Sequence, residues 1–138
     1  MSKSSAYSDA MLKLFFQAVA MPGLADPTGV TSLSVALHSA DPGEGGLQTS
    51  FELAYGGYAR ASVARTAAGW LVANNQATPV APIDFPTKTS GTDVYAAYFS
   101  VGYGGSNALA YSGAINPPIF VVNGTPPRLT QATAIKED

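Results

Sequence analysis

The chain has 138 residues, a formal charge of −2 and a pI near 5.1, which is the size of one ordinary domain with one core. Its seven Lys and Arg make no basic field and argue against direct nucleic-acid binding, and the absence of cysteine removes disulfides, thiolate metal sites and a cysteine nucleophile. Charged residues are only 12%, about half the usual share, so the surface must be finished with small polar and apolar residues or be covered by something else.

Residues 11–21, MLKLFFQAVAM, are interrupted by Lys13 and Gln17 and are too short to span a bilayer. They read as an amphipathic helix rather than a signal peptide or membrane segment, and a soluble protein made in the cytoplasm is expected. Ser4, Ser5 or Ser8 can cap this helix, Asp9 suits its first turn, and Pro22-Gly23 stops it. Tyr7, Met11, Phe15 and Val19 form an i, i+4 row that Leu12 and Phe16 widen.

After the loop GLADPTG, period-two runs divided by Gly, Pro and Asn predict strands. In the first, Leu33, Val35 and Leu37 alternate with Ser34, Ala36 and His38, and a turn-rich SADPGEGG follows. YARASVAR (58–65) and GWLV (69–72) are the next strands, with NNQATP as a loop. The three prolines of ATPVAPIDFP (77–86) confine that segment to an edge or an irregular extended path. DVYAAYFSVGY (93–103) is the strongest strand, apolar on both faces. ALAYSGAI (108–115), IFVV (119–122) and RLTQATAI (128–135) complete the series, with a loose turn at Asn123-Gly124 because Pro126-Pro127 follow it.

This order predicts an α+β, mainly β fold: an N-terminal helix within 1–22, then an antiparallel sandwich or jelly-roll-like barrel of about seven or eight strands over 30–138, all in one domain.

The residues carry little chemistry. His38 is the sole histidine; a zinc site around it would need three carboxylates, and a strand-end residue bonded to loop backbone is the plainer reading. Asp41 and Glu44 in DPGEGG lack the alternating ligands of a calcium loop, whereas an aspartate bonding its own backbone explains the turn. Asp84 and Asp93 have no acid-base spacing. No G-x-S-x-G occurs, and any triad must recruit His38. YGGY and GYGG match no phosphate-binding pattern and precede no helix. Gly56 and Gly57 instead read as a bend or bulge needing positive φ or close backbone approach. No catalytic, cofactor-binding or metal residue is therefore assigned. Tyr55, Tyr58, Arg60 and Trp70 are the candidate interface residues, since aromatics and arginine anchor interfaces. Tyr58 and Arg60, two apart on one face, can stack or reach a partner's carboxylate.

The sequence of amphipathic helix, SLSVALHSADPGEGG, spacer and YGGYAR resembles a group of small tailed-bacteriophage virion proteins. Members read like "LHTADPG", ten to fifteen residues, then "GGYAR". YAAYFSVGYGGSNALAYSGAI resembles their "HFGIWDAATGG…LFYGAL" stretch. The likeness covers nearly the whole chain, departing at the proline-rich 78–86 and 117–127 and at GLADPTGVT. It implies a non-enzymatic virion component, often labelled a tail fibre protein and similar in size and build to capsid decoration proteins. Expected first is a cement protein on the capsid surface, a homotrimer or homodimer bridging major capsid subunits. The alternative is a tail-associated fibre or adaptor protein whose GYGGSN and NGTPP loops contact a receptor or other tail proteins. Neither cofactor nor membrane is expected.

Overall fold

A computed structural model describes residues 5–20, 30–103 and 107–136. One helix and nine strands are present among them: α1 Ser5–Gln17, β1 Ser32–His38, β2 Ala61–Ala64, β3 Trp70–Ala73, β4 Gln76–Pro79, β5 Ile83–Asp84, β6 Val94–Gly102, β7 Leu109–Val121, β8 Arg128–Leu129 and β9 Ile135–Lys136. The fold is α+β and mainly β, with antiparallel pairing in its sheets. The chain divides into two compact units. The first holds Met1–Leu33, Val63–Ile83 and Leu129–Asp138; the second holds Ser34–Ser62 and Asp84–Arg128.

In the first unit α1 lies on the β3–β4 hairpin. Leu12 and Phe16 are fully buried, and the Phe16 ring meets Trp70 at 4.5 Å. The buried row is thus Ser8, Leu12 and Phe16, one position on from the expected Met11 and Phe15 row, and Val19 is exposed because α1 has already ended. The end comes at Gln17, before the expected Pro22-Gly23, which lies outside the described residues. Ala18 takes φ +55° and Val19 N–H turns back to the Lys13 carbonyl, a left-handed stop of the kind that closes many helices. Arg65 completes it: Nε and Nη2 donate to the Phe15 and Leu14 carbonyls at 2.6 and 2.7 Å, placing positive charge where the helix dipole is negative. Asp9 is not in the first turn; its Oδ1 accepts Asn75 N–H at 2.7 Å.

That bond holds the turn of a hairpin where a loop was expected. Asn74 and Asn75 both have positive φ, +55° and +60°, the geometry of a two-residue type I′ turn, and β3 and β4 pair from Trp70↔Pro79 to Ala73↔Gln76. The sheet order is β3-β4-β9, so β4 is central rather than an edge. Pro79 is tolerated because β9 pairs only with Gln76 and Ala77. RLTQATAI is two short strands, β8 and β9, separated by a turn.

The second unit is built on a sheet of order β2-β1-β6-β7. β1 and β6 are buried on both faces along much of their length, as their two apolar faces require. β7 is one strand where two were expected. Its ladder with β6 jumps from Ala96↔Ile119 to Tyr98↔Ala114, so Asn116, Pro117 and Pro118 bulge out where proline has no N–H to offer. Leu37, Leu53, Tyr55, Phe85, Phe99, Val101 and Val121 form the apolar core of this unit.

Candidate functional site

The stretch from Gln48 to Arg60 turns on the two glycines. Gly56 bridges Ser90, donating N–H to the Ser90 carbonyl and accepting Thr89 N–H, both at 2.9 Å. A Cβ on Gly56 would strike the Ser90 side chain, and one on Gly57, at φ +90°, would meet the Thr87 carbonyl at 2.8 Å. The pair is the bend the sequence implied.

Beyond the bend, Tyr58 and Arg60 converge on a carboxylate of their own chain. Arg60 Nε and Nη2 donate to Glu52 Oε1 and Oε2 at 2.7 and 2.8 Å, and Tyr58 OH donates to Oε1 at 2.9 Å while accepting Leu37 N–H at 3.2 Å. Arg60 also reaches Gln48 Oε1 and Asn107 Oδ1. Burial pushes the Glu52 carboxyl up, but the Arg60 and Tyr58 hydrogen bonds and the Arg60 charge together hold it below its usual range. Burial, joined by the Glu52 charge, raises the Tyr58 phenol, while its bond with Leu37 N–H opposes them.

Gln48 carries the network inward. Its amide donates to Ser100 Oγ and the Ser34 carbonyl at 3.2 Å, and its Oε1 accepts the Ser34 hydroxyl at 2.7 Å. His38, fully buried, faces the Ser50 carbonyl through Nδ1 at 2.8 Å and Ser100 Oγ through Nε2 at 2.7 Å. A carbonyl only accepts, so Nδ1 bears the proton and Nε2 takes the Ser100 hydroxyl. Burial lowers the His38 pKa more than the Ser50 carbonyl raises it. A serine-histidine contact thus exists, but both side chains are sealed from solvent and the third partner is a backbone carbonyl instead of a carboxylate. The arrangement pins a loop to the sheet, which fits the reading of His38 as a strand-end residue bonded to backbone.

The candidate contact residues are distributed unevenly. Tyr58 and Arg60 sit together, part-buried. Tyr55 is only 6% exposed, donating to the Pro86 carbonyl at 2.7 Å, and Trp70 is 1% exposed, so both rings are spent inside the chain rather than presented to a partner. Asp41 Oδ1 accepts Gly43 N–H at 2.9 Å, the self-bonded turn expected of DPG. Asp84 is held by Arg128 through two bonds, and Asp93 by the buried Lys88 at 2.8 Å. Among the described residues no group of three or more His, Asp or Glu gathers to hold a metal, and no helix is long and apolar enough to cross a membrane. Part of GYGGSN, residues 104–106, lies outside the described residues.

The exposed aromatics lie elsewhere. Phe51 is 61% exposed and has φ +54°, unusual for a bulky residue. It is held so by its neighbours: Ser50 is fixed by His38, Glu52 by Arg60, and the Phe51 carbonyl accepts Ser39 N–H at 2.9 Å. Tyr95 and Phe120, opposite each other on β6 and β7, stack at 4.8 Å with both rings about half in solvent. Period two placed Tyr95 on the face of the buried Phe99; the register shift between Ala96 and Tyr98 breaks that alternation.

No curated protein matches the chain. Residues 2–132 match the family model described as "Podophage GP4 fiber I protein gp80". With nearly the whole chain matched, the protein belongs to this podophage fibre I family of tailed-phage virion proteins.

Proposed function

We propose that the protein is a non-enzymatic structural component of a podophage tail, a fibre or adaptor subunit that works through the surfaces it presents to other virion proteins. The family match over 2–132 carries this reading and favours the tail over capsid decoration. The buried polar network supports it: the one histidine and its serine are enclosed, and their bonds position the loop that displays Phe51. Within an appendage we read its role as that of a joint, cap or adaptor.

Copy number separates the two locations. Quantitative mass spectrometry of purified virions should return a dozen or so to a few dozen copies, the stoichiometry of tail appendages. Several hundred copies, tracking the major capsid protein, would return the protein to the head surface and overturn the tail reading.

A further inference from the structure

We propose that Phe51 is the anchor by which this chain docks onto a different virion protein, its ring entering an apolar pocket whose rim carries Lys or Arg. The inference rests on the reading of the chain as a structural part of the particle.

The backbone carries it first. Phe51 stands at φ +54° with 61% of its surface exposed. Glycine or asparagine would sit there at ease, whereas a bulky ring is strained, and strain kept at an exposed aromatic points to a use on the surface rather than in the fold. The loop beneath is pinned at alternate residues. Gln48 is fully buried and bonded to Ser34 and Ser100, the Ser50 carbonyl accepts His38 Nδ1–H, and Glu52 is held by Tyr58 and Arg60. The residues between them therefore face out: Leu47, Thr49 and Phe51 are all exposed. Ser50 N–H closes the turn onto the Leu47 carbonyl at 2.9 Å. An apolar pair held in place before a partner arrives loses little freedom on binding, and one aromatic set in a pocket is the usual centre of such a contact.

Charge selects the occupant. From Ser39 to Ala59 the chain has three acids, Asp41, Glu44 and Glu52, and no Lys or Arg. Arg60 neutralises Glu52, which leaves Asp41 and Glu44 exposed as the acidic flank of the loop. The matching surface is basic. A second copy of this chain is poorly suited to supply it. Four of its seven Lys and Arg, namely Arg60, Arg65, Lys88 and Arg128, are already held by acceptors of their own chain. The cavity of about 370 Å³ beside the loop is itself lined by Asp41 and Glu44, so a copy would bring like charge to like. The occupant is a protein of different sequence.

The test uses phage deprived of its own copy of the gene and grown on cells supplying each full-length variant, with copies per particle read by mass spectrometry against the major capsid protein. Phe51→Gly relieves the backbone, so its denaturant midpoint should be no lower than the wild type's while its incorporation falls at least tenfold; Phe51→Asn, which also accepts left-handed backbone, should do the same. Phe51→Leu, keeping an apolar anchor, should stay within about threefold of wild type. Glu44→Lys should lower incorporation about three- to tenfold, and Leu71→Ser, an exposed apolar residue of the first unit, should leave it unchanged. Wild-type copy number in the glycine and asparagine variants would overturn the proposal. So would a fall in both their midpoints, which would place the ring in the chain's own fold, or a fall in their mass by light scattering, which would place it against another copy. Full incorporation with lost adsorption to cells would assign the ring to the host surface and overturn it as well. Absence of the wild-type chain from particles would remove the structural reading beneath it too.

Discussion

At the centre of the first unit Trp70 packs on Phe16 and Leu12 is also fully buried, and three polar atoms buried in that unit, Ser8 Oγ, Trp70 Nε1 and Asn75 Oδ1, have no hydrogen-bond partner. In the second unit the buried His38, Gln48 and Ser100 bond one another and nearby backbone, and the chain of contacts ends in the Glu52–Arg60 ion pair. The first unit is held by filled volume, which tolerates an orphaned hydroxyl at a cost of about 1–3 kcal/mol. The second is held by completed polar contacts, where removing one member strands the others. The contrast teaches that a low-charge chain has two ways to fix a loop or helix, and that only one of them should respond to pH.

The largest expected effect tests the packed unit. Trp70→Ala should cost about 3–5 kcal/mol, the range for emptying a large buried aromatic, read as a fall in the denaturant midpoint; a loss under about 1 kcal/mol would mean the ring is not central. Glu52→Gln should cost about 2 kcal/mol, since Arg60 and Tyr58 lose the carboxylate they share and charged hydrogen bonds contribute about 1.5–3 kcal/mol. A smaller effect of opposite sign sharpens the contrast. Ser8→Ala should stabilise by about 0.5–1 kcal/mol, removing an unpaired buried hydroxyl and adding a better helix former.

The pH response belongs to the second unit. His38 is held below its ordinary 6.5 when folded, so the unfolded chain binds the proton first and stability present above pH 6.5 is lost as pH falls below it. Glu52, held below its ordinary 4.5, adds a second loss below that value, because there too the unfolded state protonates first. Urea titrations at stepped pH should show both. His38→Asn, which keeps a donor toward the Ser50 carbonyl, should flatten the upper step and leave the lower one.

Periodicity revealed what period-two and helical patterns encode. The helix, β1 and the body of β6 were legible because their apolar residues recur at the spacing of one face. The Asn74-Asn75 hairpin was hidden because neither residue is the glycine that usually marks a type I′ turn, although both take positive φ. β7 was divided in two because the rule that proline cannot donate does not say whether pairing resumes beyond a bulge. The polar network was illegible for a different reason: it joins Ser34, His38, Gln48, Glu52, Tyr58, Arg60, Ser100 and Asn107, far apart in the chain and united only by the fold. Composition marks aromatics as contact candidates, and burial decides which of them are exposed. Tyr55 and Trp70 went inside, while Phe51, Tyr95 and Phe120 stayed out.

The central claim, that this protein serves as a structural part of the tail, is tested most directly by gold-labelled antibody against the chain on intact virions. Label confined to the tail and its appendages is the predicted result. Label spread over the head, or none on any mature particle, would contradict it.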